Sequence, residues 1–161
     1  MRMSLGGERF LKSATVVQVV RDGVARLSAL PAVEVASATC CIPLERGYTL
    51  PFQVVGRPLT DGSFHGEGGW LTVAPGYFEV FKIAVVRGRT FTESDTASAP
   101  SGVVINEAMA RKFWPNGDPL NDRLLIGRGL MHHFDAEPER QTAIDGGVLR
   151  APRRPMPSRR R

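Results

Sequence analysis

Two cysteines and three histidines are the side chains of this sequence best suited to chemistry. Cys40 and Cys41 are adjacent, His65 stands in the polar stretch TDGSFHGEGG, and His132 and His133 are again adjacent. A thiol beside an imidazole could act as nucleophile and base, and mixed thiol and imidazole ligands could hold zinc. The spacing opposes both. Neighbouring cysteines seldom bond to each other, because disulfide geometry brings Cβ atoms to about 3.8 Å and successive strand residues face opposite ways. The expectation is one buried thiol and one half-exposed thiol. No C-x-x-C or H-x-x-x-H spacing is present, so paired ligands of that kind are missing. His132 and His133 cannot chelate as a helical i,i+4 pair and fall in a polar, irregular stretch. We expect no catalytic residue, no metal ligand and no cofactor. An enzyme using Cys41 or His65 is the third-ranked reading.

The remaining charged groups suggest scaffolding. TDGSFHGEGG lacks the Lys-Ser/Thr ending of a phosphate cradle and is expected to be a flexible loop. Arg87 and Arg89 flank Gly88 and are placed to pair with Glu93 or Asp95. Glu107 precedes Arg111 by four residues, the favourable order for a helical ion pair.

The elements that must position these groups follow from periodicity. MRMSL alternates weakly and suggests the end of a strand. Phe10, Ala14, Val17, Val20, Val24, Leu27 and Leu30 recur every three or four residues, which predicts one apolar face of a helix. That helix would run about 31 Å and stop at Pro31, since the residue before a proline leaves helical space. VEVASATC, from Val33, alternates and predicts a strand. A strand, a helix and a strand in succession make a βαβ-like unit. PFQVVGRP is a further strand candidate. WLTVAPGYFEVF predicts a short strand, then a short helix opening near Pro75, with Tyr77, Phe78, Val80 and Phe81 as core. IAVVRGRTF predicts a strand entering a turn. Val103, Val104 and Ile105 form a strand run, Asn106 is placed to cap a helix, and Pro115 with NGDP ends that helix. DRLLIG predicts a returning strand. No nucleophile with its base, and no pair of carboxylates on a shared face, occurs in this last unit.

The net charge of +5 comes from one end of the chain. The last twelve residues, RAPRRPMPSRRR, carry six arginines, three prolines and no acid. Residues 1–149 hold fifteen basic and sixteen acidic residues, a net of −1. A tail of that composition has little to bury and is expected to be disordered. It could bind anionic surfaces weakly, and the alternative reading is a soluble interaction module working through it. Specific nucleic-acid binding is not expected. No apolar run reaches the ~18 residues a membrane helix needs, and no export signal is visible.

Three segments in order carry a family resemblance: VRDGVARLSALPAVEVASATCCIPL, GGWLTVAPGYFEVFKIAVVRGRTFTESD and GVVINEAMARKFWPNGDPLNDRLLIG. Together they closely resemble the MacB-like periplasmic core domain of ABC-transporter permeases of the MacB/FtsX-like type, including the acidobacterial-type permeases. The resemblance covers roughly Met1 to Gln141. It implies an extracytoplasmic domain between a first transmembrane helix and a later membrane bundle, with ATP hydrolysed by a separate subunit or domain. The implied role is mechanical, between permease membrane helices and periplasmic partners or substrate. The implied location is the periplasmic side of the inner membrane. No catalytic residue is carried over. Pro75, Gly76, Phe78, Gly88, Asn106, Glu107, Phe113, Pro115, Asp118 and Pro119 match the pattern and are expected to be structural.

The sequence departs from that pattern where the family has membrane segments and after Gln141, where an apolar strand is expected. That difference predicts a sheet edge without its partner. The expected fold is α+β: a mixed sheet with βαβ-like units, one long N-terminal helix, two short helices and a disordered basic C-terminal tail. The expected organisation is a partial core domain over 1–141 and a divergent Arg/Pro-rich tail over 142–161.

Overall fold

The computed structural model describes residues 2–43, 45, 47–60, 62–96, 98–127 and 141–150. His132, His133 and residues 151–161 lie outside the described residues, and with them the histidine pair and most of the arginine-rich tail.

The fold is α+β with a mixed sheet. A long helix α1 (Ser13–Ser28) comes first, followed by strands β1 (Tyr48–Val54) and β2 (Gly66–Trp70). Then come a short helix α2 (Tyr77–Val80) and strands β3 (Ala84–Arg87) and β4 (Gly102–Asn106). Helix α3 (Glu107–Phe113), strand β5 (Arg123–Ile126) and strand β6 (Gln141–Arg150) complete it. The strands form one six-stranded sheet ordered β2-β1-β5-β6-β3, with β4 also paired to β6. β1 is antiparallel to β2 and β5, and β6 is antiparallel to β5 and β3. β4 and β6 are parallel, so the chain between them, α3 included, is the long crossover that parallel neighbours require.

Several expectations are corrected. After Gln141, where the sequence suggested a missing strand, strand β6 runs from Gln141 to Arg150. Residues 142–150 pair with three other strands rather than leaving an edge open, because this stretch supplies backbone rungs that do not depend on an apolar run. The N-terminal βαβ-like unit does not form: residues 2–6 are not a strand, and VEVASATC contributes one isolated bridge, Thr39 to Val73. It still runs extended beside 72–74, with Cys40 N–H donating to the Thr72 carbonyl and Ala74 N–H to that of Ala38. The second half of TDGSFHGEGG is strand β2, not loop, because it pairs in register with β1, Phe52 against Gly66 and Tyr48 against Trp70. Strand propensity is weak in GEGGW, and the neighbouring strand decides.

Helix α1 is shorter than its apolar periodicity, sixteen residues. Its half-buried line is Val16, Val19, Val20 and Val24, whereas Ala14, Val17, Leu27 and Leu30 of the expected stripe are exposed. The core lies instead under β1, β4 and β5. Phe52, Val54, Ile105, Trp114 and Leu124 are buried together, with Val103, Met109, Ala110, Phe113, Leu120 and Ile126 packed against them. A second aromatic group joins Tyr77 to Phe78 and Phe81, with Phe91 beyond Phe78. Tyr77 is buried, but Val80 faces solvent.

Candidate functional site

Pro75 and Gly76 lie in the turn that leads into α2. Ala74 to Tyr77 form a type II turn, closed by Tyr77 N–H donating to the Ala74 carbonyl. Pro75 fixes the first central residue and Gly76, at φ 82°, takes the second, where only glycine is free of strain. A Cβ on Gly76 would also meet the Ala36 carbonyl at 3.1 Å. Helix α2 then ends in a Schellman motif. Lys82 N–H donates to the Glu79 carbonyl and Ile83 N–H to that of Phe78, with Lys82 in left-handed conformation at φ 52°. Gly88 takes φ 74° after β3.

The strand-to-helix unit behaves the same way. Asn106 Oδ1 accepts from the Met109 amide at 2.7 Å. Arg111 donates to Glu107 at 2.7 Å across one helical turn. Phe113 meets Phe52 edge to face, centroids 4.9 Å apart. Pro115 follows the last turn of α3. Asp118 Oδ1 accepts from the Leu120 amide at 3.1 Å and opens a short 3₁₀ turn with Pro119 at its start.

The arginines divide differently from expectation. Arg89 makes two 2.7 Å bonds to Asp95, one to each carboxylate oxygen. Arg87 instead reaches Asp118 across the fold at 2.5 Å. Glu93 faces Arg21 of α1 at 3.7 Å. The bond from Arg89, then the Thr92 amide, hold the Asp95 carboxyl well below the usual carboxylate range.

A polar strut was not legible in the sequence. Arg57, in the β1–β2 loop, donates to Asp122 Oδ2 at 2.8 Å and to the Phe113 carbonyl. The Trp114 indole donates to the same Asp122 oxygen at 2.6 Å. The guanidinium also lies over the Trp114 ring, 4.9 Å from its centroid. One carboxylate oxygen therefore ties the β1–β2 loop, the end of α3 and the start of β5. Arg57 and Asp122 are 65 residues apart, and no local spacing could have linked them. Beside the strut lies an open depression of about 320 Å³, whose lining includes Arg87, Glu107, Arg111, Trp114 and Pro115. It is shallow, and its charged groups already pair with Asp118 or with each other.

The candidate chemical residues do not converge. Cys40 is exposed and Cys41 half-buried, both as free thiols, which corrects the expectation of one buried thiol. A bend at 40–41 replaces the expected strand. Cys40 Sγ accepts from the Thr72 amide at 3.3 Å. A hydrogen bond with Cys40 and burial push the Cys41 thiol up. Burial, with lesser effects from the two cysteines, raises the Tyr77 phenol. His65 Nδ1 accepts from the Val54 amide at 3.1 Å, and its Nε2 lies 3.3 Å from the Pro58 carbonyl. Both ring nitrogens are thus engaged with backbone. Among the described residues no three His, Cys, Asp or Glu side chains are grouped to hold a metal ion.

The sequence pattern of the family described as MacB-like periplasmic core domain matches residues 10–137. The chain belongs to this family. The match spans the helix, turns and strut just described. Among curated proteins the chain is similar to the uncharacterized ABC transporter permease YvrN of Bacillus subtilis (strain 168), 33% identical over 93 residues. That alignment covers 56% of this chain and 22% of YvrN. Among solved structures, the periplasmic region of MacB from Actinobacillus actinomycetemcomitans aligns with a TM-score of 0.51 at 15% identity. It covers 80% of this chain and 49% of that region, and the likeness is one of fold. This MacB-like domain therefore spans about half of the MacB periplasmic region and a smaller share of YvrN. Among the described residues, no helix is long and apolar enough to cross a membrane.

Proposed function

We infer that this MacB-like domain is a non-catalytic extracytoplasmic part of an ABC transporter permease. In that role it relays movement between the permease's membrane helices and periplasmic partners or substrate. The ATP-binding subunit or domain acts on it only indirectly, through those helices. The observation that carries this reading is the family match over residues 10–137.

The geometry supports it. A relay must move as a stiff body, because a soft one absorbs displacement. The Arg57–Asp122–Trp114 strut and the Arg87–Asp118 pair join segments far apart in sequence. The polar atoms around them are engaged in caps, turns and cross-links. The matched residues Pro75, Gly76, Phe78, Gly88, Asn106, Glu107, Phe113, Pro115, Asp118 and Pro119 are structural in this reading.

The test uses the permease that carries this domain, reconstituted with its ATP-binding component in lipid nanodiscs. Cys40 and Cys41 are replaced by serine, and spin labels are placed at Ala25 on α1 and Lys112 on α3. A third label goes on a membrane helix. The label-to-label distance within the domain should stay constant between nucleotide-free and ATP-trapped states, while the distances to the membrane helix shift. Unchanged distances to the membrane helix would overturn the relay.

A further inference from the structure

We propose that His65 is a pH-sensitive latch, which closes the last rung between the β1–β2 loop and β1 when neutral and opens that rung when protonated. The backbone pairing of β1 with β2 stops at Phe52 opposite Gly66. His65 N–H still donates to the Phe52 carbonyl at 3.0 Å. The next amide of β1 on that side, that of Val54, has no backbone partner from β2. The His65 side chain supplies one: Nδ1 takes the Val54 N–H at 3.1 Å. An imidazole nitrogen thus adds a rung where the strand has ended.

This rung exists in one protonation state. A nitrogen that accepts an N–H carries no hydrogen of its own, so the ring hydrogen sits on Nε2, facing the Pro58 carbonyl at 3.3 Å. Protonation makes both ring nitrogens donors. Nδ1–H would then point at Val54 N–H, and two donors cannot share the rung. Val54 is 2% exposed, so its amide has little access to replacement water. The bond to Pro58 persists, and so do the bonds from Gln53 Nε2 to the Ser63 carbonyl and from the His65 N–H to the Phe52 carbonyl, so the opening is confined to the Val54 rung. Imidazole is the side chain whose ordinary charge change falls between about pH 5 and about pH 8.

The charged groups around the latch are carried by the loop, α3, β5 and β2. β1 has no charged residue. In the loop, the Arg57 guanidinium is engaged with Asp122. At the end of α3, Lys112 lies over the Phe113 ring, and Arg111 pairs with Glu107. Arg123 begins β5 and is exposed. On β2, the charged residue is Glu67, which is exposed. Asp61, in the same loop, lies outside the described residues.

Amide hydrogen exchange followed by NMR on the 161-residue chain tests the latch. Protection of the Val54 amide, normalised to its intrinsic rate, should fall about tenfold from about pH 8 to about pH 5, the equivalent of one ordinary hydrogen bond. Protection of the Met109 amide, bonded to the non-titrating Asn106, should not change. In His65→Asn, whose amide oxygen can take the acceptor position, Val54 protection should be flat across this range. Equal protection of Val54 at both pH values, or the same fall in His65→Asn, would overturn the proposal. The wild-type chain gives a second readout that needs no variant. A scalar coupling between the Val54 nitrogen and His65 Nδ1 should be present at the higher pH and vanish at the lower. Its absence at the higher pH overturns the latch.

Discussion

Asn106 Oδ1 is a single acceptor atom that sets where β4 becomes α3. Without it the Met109 amide would have to find water at the first turn of a seven-residue helix. Replacing Asn106 with alanine should lower unfolding stability by about 1 kcal/mol in a urea titration, while Asn106→Asp should stay within about half of that. The Arg89–Asp95 fork works on a different variable. Asp95 is held below the ordinary carboxylate range in the folded state. Its stabilising contribution is therefore fully present above the unfolded value, near ~3.9, and is lost as pH falls from there toward the folded value. Asp95→Asn should be less stable than wild type near neutrality. The two melting temperatures should converge as pH falls below about 4, because protonation removes the same charge. The cap was visible in the sequence from its place between strand and helix, and the fork was one of the pairings that Arg87 and Arg89 left open with Glu93 and Asp95. Neither needed the rest of the fold to form.

At the scale of elements, the glycines of β2 divide by what lies against them. A Cβ at Gly66 would stand 2.7 Å from the Phe113 ring, which is itself set against Phe52. At Gly68 a Cβ would meet nothing, and no unusual φ demands glycine there. Gly66→Ala should destabilise the domain by roughly 1–3 kcal/mol through overpacking. Gly68→Ala should be neutral or stabilise it by up to about 1 kcal/mol. Parallel thermal melts of the two variants would show the contrast. The sequence could not separate these two glycines, and it presented the whole stretch as a loop. Helix α1 shows the same limit from the other side. Its three- and four-residue period was legible, but the face that is half-buried runs through Val16, Val19, Val20 and Val24. Periodicity shows that a helix has an apolar side. Which neighbour covers it is a property of the surrounding fold.

For the whole molecule, β6 is the strand on which the sheet depends. It pairs with β3, β4 and β5, so removing it would separate β3 and β4 from the β1–β2–β5 group. A chain ending at residue 140 should lose its cooperative thermal transition, whereas one ending at residue 150 should melt close to the full chain. Circular dichroism melts of the two truncations decide this. An unchanged transition in the shorter chain would show that β6 carries little of the stability. Near-neutral charge over residues 1–149 and ordinary turn chemistry pointed to a folded body, and the three quoted segments pointed to the family that the match over 10–137 shows.

What the sequence determined by itself was local: caps, turns, strand and helix periods, and the order of segments that identifies a MacB-like periplasmic core domain. These depend on interactions between residues a few positions apart, which the chain carries wherever it goes. The tertiary structure alone decided that Arg57 meets Asp122, that Arg87 meets Asp118, and that a histidine nitrogen completes β1. It also decided that GEGGW is a strand and that residues 141–150 bridge the sheet. Those outcomes depend on backbone donors and acceptors brought together across long loops, and every residue type offers the same backbone groups.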